Sequence, residues 1–357
     1  MAVANQESGL STEASATWCV DVVIPADGGW VAAGWAVGAR GKAQELGFRI
    51  NRKRVPTPEL HPRSDIPVLF PDRPGSDRAG FFLPLPTQKV VNATARRPLH
   101  LSLSVDGVVQ PRLDYFYPGE HGPVPPPENR RRVHGGDLLS SYLLEGFSAF
   151  TKIERSLVQV AGRSYRSFGS IVDWGVGCGR FSRYFEPDRS SGRRSIVGID
   201  IDEANISWCQ ENLPWMRAVH VDSLPPTPLR EASADLVIGV SVFTHLRESD
   251  MTLWLEELRR ITRPGALLAV TTHGPTTAAR SGLSGQTRAI LDEQGYLDLG
   301  QNPDIDGAVH DDPGYYRNVF HTEQYLRSIW SRHFEVLAIV EGLIGNHQDL
   351  VILRHPG

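Results

Sequence analysis

Cysteine is scarce: Cys19, Cys178 and Cys209 are the three in 357 residues, far apart and with no C-x-x-C pair. That excludes a disulfide framework or a cysteine-based zinc site and fits a reducing compartment. Charge of one sign is lacking too. The net value is −4, from 37 Lys and Arg against 41 Asp and Glu, so no overall basic field draws the chain to nucleic acid or an anionic membrane. No apolar run reaches the roughly 18–20 residues of a membrane span. No Lys or Arg precedes Arg40, so residues 1–17 lack the basic start of a signal peptide and read as a disordered tail. What is there is 40% hydrophobic and 22% charged, a globular composition. At roughly 100–200 residues per domain, the length predicts two domains. We expect a soluble, cytoplasmic protein.

From Trp18 to about Pro118 short apolar runs are separated by Gly, Pro, Asn and Asp: VDVVI (20–24), WVAAGWAV (30–37), LGFRI (46–50), FFLPL (81–85) and LHLSLSV (99–105). In the last, Leu99, Leu101, Leu103 and Val105 alternate with polar residues, and Asp106-Gly107 supplies a hairpin turn. This pattern predicts a small antiparallel β-sandwich over 18–118. The Pro- and Gly-rich stretch that follows predicts a stiff linker over 119–136. Its triplet Arg130-Arg131-Arg132 is either solvated linker or a grip on an anionic partner. A chain beginning near Gly135 is then expected to keep every cofactor motif.

After Asp137 the period becomes helical. Leu138, Leu139, Tyr142, Leu143, Phe147, Phe150, Ile153 and Leu157 recur at three- and four-residue steps, an amphipathic helix opening a second domain over 137–357. From 170 onward, SIVDW, SIVGID, AVHV, ADLVIGVSVF and ALLAVTT alternate with helical patterns, as a doubly wound parallel sheet requires. FEVLAIVEG (334–342) and QDLVIL (348–353) lie too close for a crossover helix, so they pair as an antiparallel hairpin. The fold class is α/β, a Rossmann-like sheet with a terminal hairpin after an all-β module.

Asp173-Trp174-Gly175-Val176-Gly177-Cys178-Gly179-Arg180 ends the first strand of that sheet and turns toward a helix holding Phe181, Tyr184 and Phe185. Ligands in such sheets sit outside the carboxyl ends of strands, where glycine lets the backbone come close. A dinucleotide fingerprint would need Gly at 180, where Arg180 stands, and no Gly-Lys-Ser/Thr follows for a phosphate loop. Asp200 closes SIVGID, where a carboxylate can accept both hydroxyls of a ribose. Asp222 closes AVHVD, where it can accept from an adenine amino group beside the Ser223 amide.

DWGVGCGR, GID, VDSLP, ADLVIGVSVFTHL and RRITRPGALLAVTTHG, in this order, resemble the class I S-adenosylmethionine-dependent methyltransferases over about 137–357. The resemblance implies a seven-stranded sheet and a cofactor, S-adenosyl-L-methionine. It assigns Asp173, Gly175, Gly177 and Gly179 to the methionyl part, Asp200 to the ribose and Asp222 to the adenine. Trp174, Ile201, Ser223 and Val240 are counted with the same set, Trp174 either against the sulfonium or as packing. The 27 residues from Asp173 to Asp200 exceed the family's usual spacing, and the surplus lies in the polar loop EPDRSSGRRS. Cys178 is either a thiol of interest or a small filler. The stretch PRSDIPVLFPDRPGSDRAGFFLPLP (62–86) resembles a β-sandwich that accompanies methyltransferase and glycosyltransferase domains in bacterial glycan and natural-product enzymes. Trp18, Trp30 and Trp35 are then sugar-stacking platforms or ordinary core.

Methyl transfer to a hydroxyl needs a base near the methyl group, whereas a carboxylate acceptor needs none. His245 after SVFT and His273 after AVTT are the candidates, each alternatively a strand-end packing residue. The segment 274–320, with one helix over 287–297, reads as a lid whose Tyr315, Tyr316 and Arg317 touch the acceptor. Asp304, Asp306, His310, Asp311 and Asp312 lack calcium-loop spacing, so no metal is expected. The activity expected is O-methylation of a small or glycan-like acceptor. Carboxyl or N-methylation of a peptide or natural product, and a silent scaffold subunit, stand as alternatives. Neither nucleic acid nor a membrane is an expected partner; the oligomeric state is open, a homodimer among the options.

Overall fold

The computed structural model describes residues 17–26, 29–38, 45–50, 52–85, 99–105, 107–109, 115–117, 122–185, 194–302, 314–345 and 347–357. The chain divides into two compact units, Met1–Phe116 and Tyr117–Gly357.

The first unit carries β1 (Thr17–Ala26), β2 (Gly29–Val37), β3 (Leu46–Ile50), β4 (Lys53–Val55), β5 (Leu60–His61), a short helix α1 (Ile66–Leu69), β6 (Gly80–Leu85), β7 (Leu99–Val105), β8 (Val108–Val109) and β9 (Tyr115–Tyr117). One sheet runs β1-β2-β6-β5 and is antiparallel throughout. The other runs β4-β3-β7-β8 with β9 also beside β7. The two meet where Phe48 of β3 packs on Trp18 of β1 at 6.3 Å and on Phe81 of β6 at 4.7 Å between ring centres. Trp18 and Trp35 are core side chains, at 1% and 0% exposure, and do not offer a sugar-stacking face. The side chain of Trp30 lies outside the described residues. Gly107 takes the positive φ that the β7–β8 turn demands. Ser102 and Ser104 are as buried as the leucines they alternate with, and Ser104 Oγ donates to the Gly47 carbonyl at 3.2 Å.

The second unit opens with a correction. The stretch read as linker is helical over α2 (Pro127–His134), with Pro at N1, Glu128 in the first turn and Gly135 left-handed at the end. Those are ordinary helix signals that the Pro-rich lead-in masked. Arg130 is buried rather than solvated, and its guanidinium donates to the Pro125 and Asp137 carbonyls. Next come α3 (Leu139–Ala161), β10 (Ser170–Trp174), β11 (Ser195–Asp200), α4 (Glu203–Asn212), β12 (Arg217–His220) and β13 (Ala234–Gly239). They are followed by α5 (Glu248–Ile261), β14 (Thr262–His273), α6 (Pro275–Arg280), α7 (Gly285–Gln294), β15 (Tyr296–Gln301), β16 (Arg317–His321), α8 (Glu323–Ile329), β17 (Glu335–Ile344) and β18 (Gln348–Arg354).

The order β12-β11-β10-β13-β14 is parallel, and β18 then β17 complete that edge antiparallel. Along β10 the side chains alternate, Ile171 joining the core under α3 and α4 and Val172 the core under α5 and α8. Among the described residues the sheet has nine strands, not the seven expected. The two extra are β15 and β16, supplied by the segment expected as a lid, with β16 parallel to β14 at the pair His273–Phe320. The helix expected over 287–297 stops at Gln294 because Gly295 turns left-handed at φ 74° and donates to the Leu291 carbonyl. After the glycine loop, the expected helix is a single 3-10 turn, Ser182–Tyr184. The polar loop 186–193 lies outside the described residues.

Candidate functional site

Strand order reverses at β10, whose neighbours are β11 and β13, and that switch point leaves a crevice at the carboxyl ends. Gly175, Gly177 and Gly179 all adopt positive φ, at 73°, 52° and 72°. At Gly177 a Cβ would also lie 2.6 Å from Val133 of α2, so the position is closed to any side chain on two counts. The Gly177 amide donates to Asp200 at 2.6 Å and the Asp202 amide donates to its other oxygen at 2.9 Å. Asp200 thus ties the glycine loop to the start of α4 and keeps lone pairs for further donors. Burial pushes its carboxyl up to about 6. Asp173 is 2% exposed and accepts from Ser182 Oγ at 2.5 Å. Burial drives its carboxyl up to about 7, the Ser182 bond pulling the other way and nearby Asp200 adding to the rise.

These groups line a cavity of about 160 Å³, where a single water needs roughly 10–15 Å³. Its lining includes Asp173, Gly175, Gly177, Asp200 and Ile201 together with the apolar Val221, Val240 and Val242 and the rings of Tyr315 and Tyr316. This fits S-adenosylmethionine, the cofactor the resemblance implies: carboxylates for an ammonium and for ribose hydroxyls, and apolar side chains for a flat base. Trp174 reaches the same wall but is 3% exposed, edge-on to Phe243 at 4.8 Å and tilted on Trp254 at 4.9 Å. Its packing role is therefore evident.

Opposite the glycine loop, the chain leaves β13 through Ser241, a non-glycine residue at φ 62°, and turns into His245. Val242 packs on Gly175, where a Cβ would lie 2.5 Å from its methyl. His245 is half-buried on the cavity wall, and its Nδ1 lies 2.9 Å from the Arg317 carbonyl. A carbonyl only accepts, so Nδ1 carries the hydrogen and Nε2 keeps the lone pair. Burial holds the ring below its usual 6.5, so it is neutral at neutral pH.

Several sequence candidates fall elsewhere. His273 is 6% exposed, stands behind His245 at 6.3 Å between ring centres, and is not part of the wall. Burial and the nearby His347 and His245 push it down to about 2, too weak a base for proton abstraction at neutral pH. Gly179 packs on Leu213 behind the loop. Asp222 is exposed beyond β12 and off the wall, and Ser223 acts through its carbonyl, which accepts from Trp254 Nε1 and Tyr315 OH at 3.1 Å each. That bond ties Tyr315 to the segment that follows β12. Arg317 pairs with Asp298 at 2.5 Å and meets His245 through its backbone, its carbonyl 2.9 Å from Nδ1 and its amide donating to the His245 carbonyl at 3.0 Å. Cys178 is a buried filler whose thiol is pushed up to about 11 by burial. Asp304, Asp306, His310, Asp311 and Asp312 lie outside the described residues. Among the described residues, no three His, Cys, Asp or Glu are grouped to hold a metal.

The site also contains residues that sequence reasoning missed. Arg132 lines the cavity and meets both carboxylate oxygens of Asp202 at 3.0 Å. Asp202 in turn caps α4 by accepting from the Ala204 and Asn205 amides. The Asp-Glu-Ala-Asn run was a readable cap signal; the Arg132 partnership, 70 residues away, was not. Arg180 is held by His134 at 3.3 Å and Glu145 at 3.7 Å.

Residues 172–270 match the family model described as a methyltransferase domain. A probable S-adenosylmethionine-dependent methyltransferase of Mycolicibacterium smegmatis is 33% identical over 79 residues, covering 22% of this chain and 30% of that protein. The chain thus spans under a third of the length of that curated relative. A methyltransferase structure from Methanosarcina mazei is 17% identical with a TM-score of 0.38, covering 52% of this chain and 92% of that one. Human N-acetylserotonin methyltransferase is 17% identical with a TM-score of 0.42, covering 64% and 57%. At such scores neither likeness carries an argument beside the domain match.

Proposed function

We propose that this chain, which carries a class I S-adenosylmethionine-dependent methyltransferase domain, methylates a hydroxyl on a small or glycan-like acceptor, with His245 as the base. The observation that carries this reading is His245 itself: on the cavity wall, neutral, its Nδ1 hydrogen committed to the Arg317 carbonyl and its Nε2 lone pair available. When bound, the cofactor supplies a methyl group already activated on a sulfonium sulfur. The chain does the rest. Asp200 accepts from the ribose, the glycine loop and Asp173 hold the methionyl end, and Ile201, Val221 and Tyr315 enclose the base. His245 Nε2 takes the acceptor proton, and the imidazolium formed is stabilised by its bond to the Arg317 carbonyl. Trp254, Leu246 and Tyr316 exclude water around it. A carboxylate acceptor is less well served. The two cations on the wall, Arg132 and Arg180, are already engaged by Asp202 and by Glu145.

The domain limits we propose are an all-β accessory module over 18–118 and a catalytic unit that includes α2. The test is a panel of hydroxyl, carboxyl and amine acceptors, assayed with methyl-labelled cofactor and mass spectrometry of the products. Label on a hydroxyl oxygen is the expected result. Label confined to carboxyl or amine products overturns the hydroxyl reading, and no transfer to any acceptor favours a silent binding subunit.

A further inference from the structure

Ser241 stands where the chain leaves β13 for the wall that carries Val242 and His245. Its φ of 62° is left-handed, which glycine tolerates and serine does not without support. Of the three non-glycine residues with positive φ among the described residues, Arg52, Ala232 and Ser241, Ser241 alone lines the cavity.

The support comes from two other strands. The Ser241 amide donates to Thr271 Oγ1 of β14 at 2.8 Å. Thr271 is fully buried and donates its own hydroxyl to Gln348 Oε1 of β18 at 2.6 Å. Gln348 closes the ring, its Nε2 donating to Ser241 Oγ at 2.8 Å, with Oε1 3.1 Å from the same hydroxyl. Each role fits the chemistry of the group. A carboxamide both donates and accepts, which is what these two hydroxyls require. The left-handed serine is thus fixed by an amide–hydroxyl–carboxamide ring that joins the exit from β13 to β14 and β18.

The turn it fixes sets the site. Val242 comes onto Gly175, and the His245 amide donates to the Val242 carbonyl at 3.0 Å. Without the ring, Ser241 would relax toward negative φ and re-aim both side chains. The geometry points to Gln348 as a positioning residue: from the terminal hairpin it holds Ser241 left-handed and so keeps the cavity wall facing the glycine loop. This rests on the cofactor reading of the cavity but not on the identity of the acceptor.

The test is a double-mutant cycle of Gln348→Ala and Ser241→Gly in the full chain, read by calorimetry of S-adenosylhomocysteine and by thermal midpoint. Glycine adopts the left-handed turn unaided, so it removes the need for the ring. With Ser241 in place, Gln348→Ala should weaken binding tenfold or more. In the Ser241→Gly background the same substitution should weaken it less than threefold, with a smaller drop in midpoint. Equal losses of affinity and midpoint in both backgrounds would make Gln348 an ordinary packing residue and overturn the inference. So would unchanged affinity in Gln348→Ala. If the unsubstituted chain fails to bind S-adenosylhomocysteine, the cofactor reading falls, and the midpoint cycle alone decides the ring.

Discussion

Asp200 carries two tasks on one carboxylate. Its carboxylate accepts the Gly177 and Asp202 amides, and it faces the cavity where a ribose would lie. Asp200→Ala removes charge-assisted acceptors, each worth roughly 1.5–3 kcal/mol. Calorimetry should show S-adenosylhomocysteine bound at least tenfold more weakly; undiminished affinity would remove Asp200 from the ribose. Asp200 and the glycine loop were legible because each signal is local, a strand followed by its own end residue. Asp222 was read from the same rule and lies exposed and off the wall, while the Ser223 carbonyl next to it is taken by Trp254 and Tyr315. Those partners lie 31 and 92 residues away, beyond any local pattern.

Among elements, α2 changes the architecture most. Proline-rich composition and an arginine triplet concealed a helix that sets Val133 on Gly177, Arg132 on Asp202, and the Asn129 side chain 2.8 Å from Asn205. A chain beginning near Gly135 therefore loses part of the cavity wall. One beginning at residue 122 should bind S-adenosylhomocysteine as the full chain does. One beginning at residue 136 should bind at least tenfold more weakly. Equal affinities by calorimetry would mean that α2 plays no part in the site. The strand pair β15–β16 was missed for a related reason: a helix and the strand after it share one short apolar pattern, and only Gly295 marks their break.

In the molecule as a whole, buried histidines make stability depend on pH. His321 is fully buried, neither ring nitrogen has a hydrogen-bond partner among the described residues, and burial pushes it down to about 3. Below 6.5 the unfolded chain takes up a proton that the folded chain refuses, so this group's contribution falls as pH falls from 6.5 toward 3. Between pH 7 and pH 5 the loss comes to about 2 kcal/mol. Asp173, raised to about 7, works in the opposite direction, because the folded chain holds its proton first. Comparing urea unfolding of the unsubstituted chain with that of His321→Gln at both pH values isolates the histidine. The variant should lose about 2 kcal/mol less; identical losses would contradict the assignment.

The proposal that His245 serves as the base has one most direct test, turnover of a hydroxyl acceptor by His245→Ala across pH. Burial lowers the His245 ring, so the unsubstituted rate should climb with pH through a midpoint below 6.5 and stay level through neutrality. In His245→Ala that limb should vanish and turnover should fall about 10²–10⁴-fold, with S-adenosylhomocysteine affinity within threefold of the unsubstituted chain. Near-normal turnover in the variant, with the acid limb intact, would contradict it.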